Sequence, residues 1–333
     1  MNRLLITTRL TVVSQLNTIT KSLFGLLFTS AVLCTASCSD TDPASAELNI
    51  DPTLGQAVFT APANGANAFA LALKNHDAEM LTSLLGADYE DVLPLEYVDE
   101  EDVDNYINAW ETSNTLVPQG EHTMLIAIGK GGWTMPIPLS EGESGWYFDV
   151  DEGYERIRIR RIGRNELSTM QAVLAYYDAQ MEYAQQDRNS NGMLEYAQRF
   201  ISTPGTHDGL FWERGDDDQL SPLGPLMAND TPGDGYHGYH YRILQSQGAN
   251  AKGGAYSYIL GDKMRAGFAL IAWPEAYGES GVMSFLVSHA GIVYEQNLGP
   301  DGAEVAKAMP SYNPDEAWLP VQEVSGPQAE VTQ

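Results

Sequence analysis

The chain has 333 residues, of which 45 are acidic and 18 are basic, so its formal net charge at pH 7 is −27. A surface this acidic repels nucleic acid and anionic lipid headgroups, and nucleic acid is therefore excluded as an expected partner. The two cysteines are Cys34 and Cys38, so a chain cleaved before Cys38 could form no internal disulfide and would depend on its hydrophobic core.

The first 37 residues have the features of a secretory signal peptide. Three basic residues and no acidic residue precede the apolar run "LFGLLFTSAVL" at 23–33. That run is much shorter than the roughly 20 residues of a membrane-spanning helix. It leads into "TASC", which resembles a bacterial lipoprotein cleavage box and ends at Cys38. We therefore expect residues 1–37 to be removed and Cys38 to be lipidated; ordinary cleavage nearby is the alternative.

Lipidation at Cys38 would anchor the protein to a membrane, which is therefore an expected partner. The protein would then lie in the cell envelope and face the periplasm. Ser39 follows the cysteine, which favours the outer membrane under the familiar Gram-negative sorting rule. The alternative is a secreted or soluble periplasmic protein. Residues 38–56 are small, polar and interrupted by proline, which is typical of a tether.

Residues 57–163 are predicted to form a first α+β module. Apolar residues recur at helical spacing from Ala66 to Leu73, Asp77 can cap a second helix, and "DEEDVDNYINAW" predicts a third. The runs "HTMLIAIGK", "GWTMPIPL" and "GWYFDV" then predict strands. Helices followed by an antiparallel meander resemble the cone-shaped fold of the nuclear transport factor 2 superfamily.

Residues 164–320 are predicted to form a second α+β module. An amphipathic helix is expected to begin at Asn165 and to lead into an antiparallel sheet formed by the runs "GYHYRILQ", "GAYSYIL", "AGFALIAW", "GVMSFLVS" and "GIVYEQNL". This plan resembles the globular part of pilin-like proteins. Residues 321–333 are predicted to be a flexible tail. The arginine-rich run "ERIRIRRIGR" before the helix is expected to pair with carboxylates, and an anion site is the alternative.

Several ordered motifs carry a closer resemblance. The stretches "RRIGRNEL", "YYDAQMEYAQQDRNSNGMLEYAQRFISTPGTHDGLFW", "YHGYHYRIL" and "GFALIAWPEAYGESGVMSF" resemble a bacterial family known as domain of unknown function 2950, from about Phe59 to Trp318. The resemblance implies an exported bacterial protein and carries over no catalytic residue. Two departures stand out: Asn189, Ser190 and Asn191 replace an Asp-rich loop, and His240 replaces a tyrosine.

The spacing of a calcium loop occurs between residues 187 and 198. Calcium takes six to eight oxygen ligands, which a helix–loop–helix hand supplies from loop positions 1, 3, 5, 7, 9 and 12. Those positions hold Asp187, Asn189, Asn191, the carbonyl of Met193, Glu195 and Gln198, with Gly192 at the sharp turn. Two carboxylates remain, so no cofactor is expected to be required and any calcium binding is expected to be weak. The alternative is a polar turn between two helices.

The remaining polar residues suggest no recognisable catalytic motif. His237 and His240 would point to opposite faces of a strand, and His207, Asp208 and Ser202 lack the context of a nucleophile elbow. The leading hypothesis is a non-enzymatic lipoprotein whose two modules serve interaction or assembly with an unidentified envelope protein. The alternative is a hydrolase with its site in the cleft between the modules, which a pocket joining His207, Asp208 and a hydroxyl would favour.

Overall fold

The computed structural model of the protein describes residues 48–93, 98–188, 190–213, 220–224 and 236–321. The predicted lipidation site Cys38 and the predicted calcium ligand Asn189 both lie outside the described residues. None of the helices in these ranges combines the length and the apolar character that crossing a membrane requires.

The described elements form antiparallel sheets with helices packed against them. The helices are α1 (Pro62–Lys74), α2 (Ala78–Leu85), α3 (Tyr89–Val92), α4 (Glu100–Thr112), α5 (Val150–Tyr183) and α6 (Gly302–Ala308). The strands are β1 (Asn49–Asp51), β2 (Gln56–Val58), β3 (Asn114–Pro118), β4 (Thr123–Ile128), β5 (Trp133–Thr134), β6 (Leu139–Gly142), β7 (Gly145–Phe148), β8 (Tyr239–Leu244), β9 (Ser246–Gln247), β10 (Tyr256–Ser257), β11 (Ile259–Leu260), β12 (Lys263–Met264), β13 (Ala269–Pro274), β14 (Ser284–Ser288), β15 (Val293–Gln296) and β16 (Leu319–Pro320).

The first sheet has the order β3-β4-β6-β7, with β5 paired to β4. Buried and partly exposed residues alternate along β7, where Trp146 and Phe148 face inward. Phe148 contacts Phe69 of α1 with ring centroids 5.3 Å apart, so the helices cover this sheet with apolar side chains. Asp77 caps α2 by accepting a hydrogen bond from the Met80 N–H at 2.9 Å, which confirms the predicted cap.

The hairpin of β1 and β2 lies before this sheet and includes part of the predicted tether. Asn49 pairs with Val58, and Asp51 accepts hydrogen bonds from the backbone and hydroxyl of Thr53 in the turn. The polar composition of this segment therefore reflects a tight turn, and regular structure begins before residue 56.

The long helix α5 begins fifteen residues earlier than predicted. Asp149 is its cap and accepts a hydrogen bond from the Glu152 N–H at 3.0 Å. The predicted start at Asn165 is wrong, because the Asn165 amide donates to the Ser280 carbonyl at 2.8 Å from within the helix. The arginine-rich run is thus helical, and its pairing with carboxylates is confirmed for Arg156, Arg158 and Arg161.

The second sheet has the order β16-β15-β14-β13-β8, and all its neighbouring strands are antiparallel. Every residue of β13 and β14 is buried, so these central strands are covered on both faces. Helix α5 packs against β14, and α6 packs against β13. A strand that is buried on both faces has a nearly continuous apolar sequence, and "ALIAW" in β13 and "SFLV" in β14 show this pattern.

The class is α+β, as predicted. The buried apolar residues form two clusters, one on each five-stranded sheet, and α5 contributes to both: Ile157 packs on the first cluster and Leu174 on the second. The described residues from Leu48 onward nevertheless form one compact unit. The division into modules at 57–163 and 164–320 stays a prediction, as do the analogies with nuclear transport factor 2 and with pilins.

Candidate functional site

The predicted calcium loop is stabilised by hydrogen bonds between its side chains and its own backbone. The Asp187 carboxylate accepts hydrogen bonds from the N–H groups of Asn191 at 3.0 Å and Gly192 at 2.8 Å. The Asn191 side chain accepts from the Met193 N–H at 2.9 Å and donates to Glu195 at 2.8 Å. Gly192 has a φ of +83°, the left-handed conformation expected at the sharp turn.

The segment after this loop is extended, so the expected second helix is wrong. The Tyr196 N–H donates to the Met264 carbonyl at 2.7 Å, which ties the segment to β12. The Gln198 side chain donates to the Asp262 carbonyl at 2.8 Å and so holds the same contact. No group of three His, Cys, Asp or Glu residues within the described ranges is arranged to hold a metal ion. Calcium binding at Asp187, Asn189, Asn191, Met193 and Glu195 stays a prediction.

The candidate triad residues stabilise a loop. The Asp208 carboxylate accepts hydrogen bonds from the Thr203 backbone and hydroxyl and from the Thr206 hydroxyl, at 2.7 to 2.9 Å. Burial favours a higher pKa for Asp208, but these bonds and the charge of Arg199 outweigh it and lower that pKa. The ring of His207 stacks on Trp212 with centroids 4.4 Å apart.

Ser202, the third candidate, is also engaged in this loop. Its side-chain oxygen accepts a hydrogen bond from the Gly209 N–H at 3.0 Å, and the residue is buried. A nucleophile needs an exposed oxygen beside a general base, and these contacts provide neither to Ser202. His237 and His240, which were expected on opposite faces of one strand, have separate neighbours: His237 precedes β8 and lies against Tyr236, while His240 in β8 lies against Trp273.

A cleft of about 530 Å³ opens on the second sheet, where β14 and β15 meet two loops. We call it the C-terminal cleft. It is lined by Gln247, Asn250, Ala251, Lys252, Ser288, His289, Ala290, Ile292, Tyr294, Tyr312, Pro314, Asp315 and Glu316. Its volume lies in the range of small-molecule sites, and its lining combines apolar and aromatic side chains with a few polar groups, as such sites do.

His289 stands in the lining directly after the last residue of β14. Its backbone N–H donates to the Phe268 carbonyl at 2.9 Å, and its Nε2 lies 3.5 Å from the Tyr256 hydroxyl. Nδ1 is buried and has no hydrogen-bond partner of good geometry among the described residues. Burial lowers the pKa of His289 below its ordinary value of 6.5, although the backbone of Phe268 acts in the opposite direction. The imidazole is therefore neutral at pH 7.

The polar wall of the cleft is held in place by hydrogen bonds. The Gln247 side chain donates to the carbonyls of Lys252 and Gly254, at 2.9 and 2.7 Å, and accepts from the Tyr258 hydroxyl at 3.2 Å. Burial raises the pKa of Tyr312, which is hydrogen-bonded to Ser288. These groups are satisfied and fixed before any ligand arrives, so the cleft is pre-formed.

None of the site residues predicted from the sequence lines this cleft. Its polar residues come from three separate segments, at 247–252, 288–294 and 312–316, so no spacing along the chain marks them. The available signal was local: "SH" directly follows the continuous apolar run of β14, and a polar residue at the end of a buried strand is a common place for a site.

The comparisons with known proteins identify a family. Neither the curated proteins nor the solved structures include a significant match to this chain. The family described as "Protein of unknown function (DUF2950)" matches residues 56–321, which is most of the chain and includes both sheets, helix α5 and the C-terminal cleft. The chain therefore belongs to the DUF2950 family.

Proposed function

We propose that the protein is a non-enzymatic binding protein of the bacterial cell envelope, attached to the membrane through a lipid on Cys38, and that it binds its ligand or partner in the C-terminal cleft. The observation that carries the proposal is the cleft itself. Its volume is about 530 Å³, and its polar wall is fixed by the hydrogen bonds of Gln247. Pre-formed walls reduce the ordering cost of binding.

The contacts of the candidate triad residues favour a binding function over hydrolysis. The Asp208 carboxylate is engaged by Thr203 and Thr206, and Ser202 is buried, so the described residues of this loop contribute to folding. A hydrolase would need an activated nucleophile next to a base in a cleft. The hydrolase hypothesis is therefore the weaker of the two.

Affinity capture from envelope extracts tests the binding function. Ile292 lines the cleft and Val305 lies outside its lining, and each residue is 47% exposed. We expect Ile292→Arg to abolish capture of the natural ligand or partner, because it places a long, charged side chain in the cleft. Val305→Arg, with the same change in charge, should capture it as well as the wild type. Equal capture by both variants would contradict the proposal.

The lipid anchor has a separate test. Cys38→Ala removes the thiol that would carry the lipid, so the precursor should stay uncleaved and should not be labelled by a fatty-acid analogue. Normal processing and release of Cys38→Ala would show that the anchor is absent, while leaving the role of the cleft untouched.

A further inference from the structure

The apolar surface of the C-terminal cleft has room for a hydrocarbon body. Ile292 is 47% exposed, although it lies beside the half-buried Tyr294. Ala290 and Pro314 also line the cleft. A ligand that covers these side chains would gain free energy from the apolar area that it removes from water.

The charged groups of the cleft favour a cation. Asp315 and Glu316 are exposed in its lining, against the single positive charge of Lys252. Among the described residues, none of these three side chains forms an ion pair, so they are available to a ligand. Asp315 uses one oxygen to accept a hydrogen bond from the Ala317 N–H at 3.0 Å, which orients the carboxylate. The acidity of the whole molecule adds to this negative field.

The ring of His289 in the lining of the cleft does not repel a cation. Burial keeps His289 neutral at pH 7, so its ring brings no positive charge to the lining. Its Nε2 lies against the Tyr256 hydroxyl and its Nδ1 is buried beside Gly267, so the ring contributes shape to the lining and no charge. The lining therefore combines an apolar surface with a net negative charge.

We propose that the C-terminal cleft binds a small organic amine, with its ammonium group at Asp315 and Glu316 and its apolar body against Tyr294 and Ile292. This inference rests on the proposed function, since it names the ligand class of the same cleft. A carboxylate or phosphate ligand of equal size would meet two negative charges and one positive charge, which disfavours anions.

A matched set of probes tests the ligand class. 2-Phenylethylamine, 2-phenylethanol and phenylacetate share a phenyl group and differ in the charge of the polar end. We expect calorimetry on the purified exported chain at low ionic strength to give about fivefold tighter binding of the amine than of the alcohol, since exposed charge pairs contribute modestly. Phenylacetate should bind more weakly than the alcohol, and added salt should reduce the preference for the amine.

Two double variants separate local charge from the general acidity of the protein. Asp315→Asn with Glu316→Gln removes the charges of the cleft, and Glu121→Gln with Glu143→Gln removes two exposed charges outside its lining. The amine preference should disappear in the first variant and persist in the second. Ile292→Ala should weaken the amine and the alcohol equally, because it removes apolar contact common to both.

Equal binding of amine and alcohol by the wild type would overturn this inference. A wild-type protein that binds none of the three probes would also overturn it. If the Glu121 and Glu143 variant loses the preference for the amine as fully as the Asp315 and Glu316 variant does, the inference is also overturned. Each of these results leaves the proposed function standing if Ile292→Arg still abolishes capture from envelope extracts. Failure of both experiments would reject the cleft as a binding site.

Discussion

Gly267 is the residue that makes room for His289 in the C-terminal cleft. Its φ is +148°, and a Cβ at this position would lie 2.6 Å from Nδ1 of His289 and 2.9 Å from the ring of Tyr258. Both the backbone conformation and the space therefore require glycine. Since the ring of His289 borders the cleft, the shape of the cleft depends on this contact.

We expect Gly267→Ala to lower the free energy of unfolding by about 2–4 kcal/mol, from backbone strain and overpacking together. Gly261→Ala is the control, because Gly261 also has a positive φ, of +69°, but no atom lies within 4 Å of a Cβ there. It should cost about 1 kcal/mol. Urea denaturation measures both, and equal losses would show that the contact with His289 is unimportant.

His289 should make the stability of the protein depend on pH. Its pKa is lowered in the folded state, so below pH 6.5 the unfolded chain binds a proton that the folded chain does not. The free energy of unfolding should therefore fall as the pH drops from about 7.5 to about 5.5. His289→Gln should lose less stability over this interval in urea denaturation. An equal loss in both proteins would contradict the burial of a neutral imidazole.

The residues of the cleft could not be predicted from the sequence. Tyr312 is brought to the cleft by backbone hydrogen bonds with Ser246 and Gly248, more than sixty residues away along the chain. Such contacts depend on tertiary structure, and local patterns do not encode them. The pattern of Asp187 and Gly192, in contrast, was visible, and the structure has the turn that it predicts.

Helix α5 holds a loop of the second sheet in place through hydrogen bonds and an ion pair. One oxygen of Glu166 accepts hydrogen bonds from the N–H groups of Val282 and Met283, at 2.9 and 3.0 Å. Arg161 pairs with Glu279 at 2.6 Å, and Arg158 donates to the Gly278 carbonyl at 2.6 Å. Residues 278–283 are thus fixed by side chains from residues 158 to 166, about two and a half turns of one helix.

Removing the Glu166 carboxylate should destabilise this contact. Glu166→Ala leaves two partly buried N–H groups without their acceptor, so we expect a loss of about 2–3 kcal/mol in the free energy of unfolding. Glu155→Ala removes an exposed carboxylate that pairs with Arg158, and it should cost less than about 1 kcal/mol. Hydrogen exchange gives the local readout: the Val282 and Met283 amides should lose protection only in the Glu166 variant. Unchanged protection would refute the assignment.

The loop after α5 should respond weakly to calcium. The Asp187 carboxylate already accepts two backbone hydrogen bonds, and Gln198 donates to Asp262, so a bound ion would have few anionic ligands. In calorimetric titration of chelator-treated protein we expect no binding below about millimolar calcium. Asn189→Asp with Asn191→Asp should strengthen it. Micromolar binding that is lost in Asp187→Ala would contradict this expectation.

The secondary structure was predictable where one physical signal dominated. The cap at Asp77 and the continuous apolar runs of β13 and β14 gave correct elements. The start of α5 was missed because "RIRIRR" alternates apolar and charged residues, a period that is typical of strands. There the helix is stabilised by the Asp149 cap and by ion pairs such as Arg156 with Glu152, which periodicity does not register.

For the whole molecule, α5 is the element common to both hydrophobic clusters. Gly153 allows close contact with Ile137 near the first sheet, and Tyr176 is fully buried in the second cluster. One helix of 34 residues therefore participates in both cores. The sequence predicted helices before strands in the first half and a long helix before strands in the second, but it predicted neither β3 nor α6. It also placed "GAYSYIL" in the second sheet, which is wrong, because β10 and β11 pair with β9 and β12 in separate two-stranded sheets. A shared helix was not predicted either, since the arginine-rich run was placed before α5.

The proposed function places the binding of the natural ligand or partner at the C-terminal cleft. Site-specific photo-crosslinking in the producing bacterium tests this most directly, with a benzophenone amino acid at Ile292 or at the equally exposed Val305. We predict a discrete adduct from position 292 that is absent from position 305. No adduct from position 292, or the same adducts from both positions, would contradict the claim.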